Sequence, residues 1–69
     1  MKWEYLFLTA QKHGGWRPRY VNGKEVEDWK KLSLYNFCAE QGAAGWEVVT
    51  AQWGTTTARF IFRRQPPKS

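Results

Sequence analysis

Residues 34–53, Leu34-Tyr35-Asn36-Phe37-Cys38-Ala39-Glu40-Gln41-Gly42-Ala43-Ala44-Gly45-Trp46-Glu47-Val48-Val49-Thr50-Ala51-Gln52-Trp53, change their hydrophobic period part-way along, and that change decides the fold. In the first part Leu34, Phe37, Cys38 and Gln41 recur at helical spacing and share one face, with Asn36, Glu40 and Gly42 nearer solvent. Ser33 stands where an N-cap sets its hydroxyl oxygen against the first free amides of a helix. Gly42 suits the left-handed position that ends a helix. An earlier start is open, with Asp28 as cap and Trp29 and Leu32 on the same stripe. Ala43-Ala44-Gly45 then turns the chain. From Trp46 onward the residues are β-branched and aromatic, which predicts a strand over 46–53.

Outward from this junction the chain reads as β. Gly54-Thr55 begins a reversal, and residues 56–64 form a last strand with Ala58, Phe60 and Phe62 on one face. Thr57, Arg59, Ile61 and Arg63 point the other way. Residues 65–69 hold Pro66-Pro67 and are expected to be a disordered tail. Upstream, residues 3–9 are a first strand in which Tyr5, Leu6, Phe7 and Leu8 are all apolar. A strand apolar on both faces is expected to be central and covered on both. Gln11 to Gly15 reads as a loop. Residues 16–21 make a weaker strand, which Pro18 assigns to a sheet edge or an irregular excursion, because proline has no amide to donate. Asn22-Gly23 is a type I′ turn signal and makes 19–26 a small hairpin. The stretch 10–32 is long for a connection and is expected to be a functional or mobile excursion, with 16–31 as a partner-facing surface.

The expected fold is therefore α+β over residues 1–64. It is a small antiparallel sheet of roughly three to four strands, order β-β-α-β-β, with one helix packed on one face.

At 69 residues the chain holds one domain with a marginal core, and such cores usually need a disulfide, a metal or a partner. The one cysteine, Cys38, cannot close an internal disulfide, and the one histidine, His13, cannot complete a metal cluster with it. No cofactor is implied. A partner subunit remains, and five tryptophans, four phenylalanines and three tyrosines supply more ring than so small a body can bury. No apolar run is long enough to span a membrane, and Glu4 interrupts what would be a signal peptide, so a cytoplasmic location is expected. The net charge of +5 favours acidic partners without naming one.

Three pieces of the chain share a pattern: Lys2-Trp3-Glu4-Tyr5, then Gly42-Ala43-Ala44-Gly45-Trp46-Glu47-Val48-Val49, then Phe60-Ile61-Phe62-Arg63-Arg64. In this order and spacing they resemble the bacterial domain-of-unknown-function family 4177, over nearly all of the chain except 10–32 and the tail. The resemblance implies a small bacterial α+β fold and brings no activity and no functional residues. Phe37-Cys38-Ala39 departs from the Leu-Asn pair expected in the family's helix.

No catalytic constellation is visible, and no enzyme activity is expected. His13 lies beside Gly14-Gly15 with no acid or nucleophile at a recognisable spacing. Cys38 falls on the apolar helix face, where a thiol acts as a small hydrophobe. Glu25, Glu27 and Asp28 alternate with Lys24, Lys30 and Lys31 and neutralise one another. Gly14-Gly15 and Gly42-Ala43-Ala44-Gly45 match no phosphate-cradling motif.

Two binding readings remain. The first is self-association into a dimer or tetramer through an apolar sheet face, with Trp3, Tyr5, Phe7 and Trp53 as candidates. The second is single-stranded nucleic acid, with bases stacked on Trp16 and Tyr20 and phosphates met by Arg17, Arg19, Arg59, Arg63 and Arg64.

Overall fold

Strand β1 (Glu4–Lys12) lies at the middle of a five-stranded antiparallel sheet of order β3-β2-β1-β5-β4. The computed structural model describes residues 2–66. The other strands are β2 (Trp16–Val21), β3 (Lys24–Glu25), β4 (Glu47–Trp53) and β5 (Thr57–Arg64), and helix α1 (Leu34–Ala43) joins β3 to β4. The α+β class holds, while the sheet has one strand more than expected. The extra strand is β3, a two-residue rung that changes the order to β-β-β-α-β-β.

The 10–32 excursion is accordingly mostly ordered. It supplies the end of β1, all of β2 and β3, and a 3-10 turn at Trp29–Lys31. That turn follows Asp28, so Asp28 begins a short turn and not the helix; its side chain makes no capping bond. Asn22 (φ 52°) and Gly23 (φ 85°) form the left-handed turn between β2 and β3. Asn22 also exchanges bonds with Phe7, its Oδ1 accepting from the Phe7 amide at 2.9 Å and its own amide donating to the Phe7 carbonyl at 2.8 Å. The turn is thereby latched to the central strand.

Pro18 is tolerated inside β2 for a local reason. β3 pairs only with Tyr20 and Val21, so the outer side of β2 at Pro18 has no ladder bond to lose. A register shift between Thr9 and Ala10 sets Ala10 opposite Pro18 and leaves Arg19 as the extra residue.

Ser33 caps α1, its Oγ accepting from the Asn36 amide at 3.4 Å. The helix stop differs from expectation. Gly42 is helical, and it is Gly45 that takes the left-handed conformation, at φ 93°. The Trp46 amide donates to the Gln41 carbonyl and the Gly45 amide to the Gly42 carbonyl, both at 3.0 Å. These are the paired bonds of a Schellman ending with glycine at C′.

The core forms where α1 meets one face of the sheet. Leu6, Leu8 and Ala10 of β1, Ala58, Phe60 and Phe62 of β5, and Leu34 of α1 are buried together. Phe37, Cys38, Val21, Trp16 and Trp46 close its margin. Ala10 and Ala58 face each other in the ladder. Their small side chains leave room for the Trp16 and Trp53 rings, which meet edge to face at 5.1 Å from the outer strands. Trp53 continues edge to face onto Phe60 at 5.3 Å.

Candidate functional site

Alternation places Tyr5, Phe7, Thr9 and Gln11 of β1 on the face away from α1, opposite Arg63, Ile61, Arg59 and Thr57 of β5. β4 adds Glu47, Thr50 and Gln52 to this face, and β2 adds Arg17 and Tyr20. Their neighbours one residue along point into the core, so the two faces of β1 have opposite environments. Tyr5 is 50% exposed and Phe7 53%. The central strand is therefore not covered on both faces, which corrects the expectation from its all-apolar run.

One end of this face is closed. Arg19 donates to Gln11 Oε1 and pairs with Glu25 at 3.3 Å. The Trp29 ring lies 4.5 Å from the Arg19 guanidinium and 5.7 Å from the His13 ring, and Trp29 is 8% exposed. This makes a small second core outside the main cluster. Arg17 braces it by donating to the His13 and Leu32 carbonyls at 3.1 and 3.0 Å. Over β1, β5 and β4 the face stays open, with a shallow hollow of about 270 Å³ lined by Phe7, Thr9, Thr50, Gln52, Arg59 and Ile61.

The self-association candidates are divided by the sheet. Trp3, Tyr5 and Phe7 belong to the open face, and the Arg63 guanidinium sits 4.3 Å from the Trp3 ring centroid. Trp53 lies on the α1 side against Trp16 and Phe60. The nucleic-acid candidates divide too. Arg17, Arg19, Tyr20, Arg59 and Arg63 are on the open face, whereas Trp16 and Arg64 are not.

Most of these arginines are already engaged. Arg63 bonds Glu47 at 2.7 Å. Arg64 bonds Glu4 at 2.8 Å and the Ala44 carbonyl at 3.2 Å, and stacks 4.4 Å from the Trp46 centroid. It thereby ties both terminal strands to the helix end. Among the described residues, Arg59 is the one arginine whose side chain has no hydrogen bond, ion pair or ring partner.

His13 and Cys38 are far apart in role. His13 edges the Trp29 core, and Cys38 sits half-buried on the inner side of α1, where burial pushes its thiol pKa up. No group of three or more His, Cys, Asp or Glu side chains among the described residues could hold a metal ion. None of their helices is long and apolar enough to cross a membrane.

The sequence places Ile61 outward but gives no sign that it completes the apolar patch. Its position opposite Phe7 depends on pairing across more than fifty residues, which no local pattern records. No family model, curated protein or solved structure matches the chain.

Proposed function

We propose that this chain is a non-catalytic binding module that self-associates by setting its open sheet face against that of a second copy. The supporting observation is the half-exposed pair Tyr5 and Phe7, with Ile61 beside them, at the centre of the sheet. Full burial of a large apolar side chain is worth about 1.5–3 kcal/mol, and roughly half of that remains unrealised at each ring. Four such rings, with two partly buried Ile61 side chains beside them, meet in a symmetric pair of faces and add to a core that is marginal at this size. The flanking Arg63–Glu47 and Arg19–Glu25 pairs are neutralised within each copy, which leaves Arg59 as the arginine of this face whose charge the apolar contact must outweigh. A cytoplasmic setting fits the lone reduced cysteine. The resemblance to a bacterial family without assigned activity is compatible with a module of this kind.

Sedimentation equilibrium at micromolar concentration tests the reading through Phe7→Glu. The wild type is expected above 8.2 kDa, and the variant should lose one step of association. An unchanged mass in the variant removes the open face from the interface.

One observation favours single-stranded nucleic acid as the second reading. Arg59 is unpaired and lines the hollow beside Phe7, where a base could stack while the guanidinium meets a phosphate. Binding to a mixed single-stranded oligonucleotide that weakens with salt and falls on Arg59→Ala would support it. Binding that is absent at low salt, or indifferent to Arg59, removes it.

A further inference from the structure

The two edges of the sheet are built differently. β3 is two residues long, both charged, and is followed by Glu27 and Asp28, which are standard protections against stray pairing. β4 is seven residues long, every one of them exposed, with Val48 at 54%, Val49 at 50% and Trp53 at 60%. Residues 48–58 contain no charge and no proline. β4 pairs with β5 on one side only, and its other row of amides and carbonyls faces outward. α1 packs chiefly against β2, and none of the seven β4 residues is buried beneath it. The register shift between Val48 and Thr50 bends β4 near its start, and Thr50 to Trp53 then pair regularly with Ile61 to Ala58.

From this edge we infer that β4 pairs antiparallel with β4 of a second copy, about a two-fold axis at Ala51, giving one continuous ten-stranded sheet. The strand is its own complement in that register. Thr50 falls opposite Gln52, so polar meets polar, and Val49 falls opposite Trp53, so apolar meets apolar. Glu47 lies beyond the overlap and never meets its own copy. Ladder bonds over residues 50–52, the regular part of β4 on both sides of the axis, supply roughly two to four backbone hydrogen bonds, with the bulge residue Val49 at the margin. A foreign extended peptide would gain the same bonds but not this side-chain match. The edge is a separate surface from the open face and does not rest on it. With the axis perpendicular to the sheet, both open faces point the same way, so face pairing of two such dimers closes a tetramer.

The test is sedimentation equilibrium in the Phe7→Glu background, which isolates the edge, with circular dichroism to confirm the fold. Phe7→Glu alone is expected at twice 8.2 kDa. Adding Ala51→Lys or Ala51→Glu sets like charges across the axis, and each double variant should run as a monomer. An equal mixture of the two should return to the dimer, because Lys then faces Glu. In the otherwise wild-type chain, Ala51→Lys should halve the mass. A monomeric Phe7→Glu protein, an Ala51→Lys variant that keeps its mass, or a mixture that stays monomeric each overturns the proposal.

Discussion

Phe7 and Ile61 stand opposite each other on the face of the sheet that α1 does not cover, while the adjacent opposed pair, Leu6 and Phe62, is buried beneath it. The same two strands therefore carry a finished interior on one side and an apolar strip facing water on the other. Stability and association should separate along that division.

Phe62→Ala removes a ring that is 1% exposed and should cost about 3–5 kcal/mol, enough to unfold most of so small a domain. Phe7→Ser should cost under about 1 kcal/mol in dilute solution, with the gap to wild type widening as protein concentration rises. Urea unfolding at two protein concentrations checks both.

Gly42 and Gly45 should respond to alanine with opposite signs. Gly42 is helical with open space where a Cβ would sit, so Gly42→Ala should stabilise by up to about 1 kcal/mol. Gly45 holds φ 93°, and Gly45→Ala should destabilise by about 1–2 kcal/mol. Thermal unfolding of the two variants measures the difference directly.

Cys38 gives a pH dependence of known sign. Burial holds its thiol pKa above the ordinary 9.0, so the folded chain keeps this proton more firmly than the unfolded chain. The stabilisation is complete below 9.0 and is lost as pH rises through that value and the higher folded one. The stability gap between wild type and Cys38→Ala should therefore narrow from pH 8 toward pH 10. Labelling by a disulfide reagent at pH 8 should be slower in the folded chain than in denaturant.

Arg64→Ala should destabilise by about 1–2 kcal/mol, because it removes the bonds to Glu4 and Ala44 and the Trp46 stack together. Salt should relieve only the ion-pair share. Arg59→Ala should stay within about 0.5 kcal/mol of wild type. Chemical denaturation at two ionic strengths separates the two arginines.

Local chemistry made much of the fold readable. The Ser33 cap, the Asn22-Gly23 turn, the inner stripe of α1 and the alternation of β5 all follow from neighbouring residues. The helix stop moved because two glycines, Gly42 and Gly45, both suit it, and the Schellman bonds select the second. What stayed hidden is long-range. That Tyr5 and Phe7 lie open, that Trp53 falls on the other face, and that β4 is an edge all depend on strand order. The commitment of Arg63 to Glu47 and of Arg64 to Glu4 likewise requires strands to meet before it exists.

Sedimentation equilibrium of the wild-type chain beside Phe7→Glu, from low to high micromolar concentration, tests the open face most directly. The wild-type mass is expected above 8.2 kDa and rising with concentration, and Phe7→Glu should form a lower assembly. A wild type that stays at 8.2 kDa throughout rules out association through the open face.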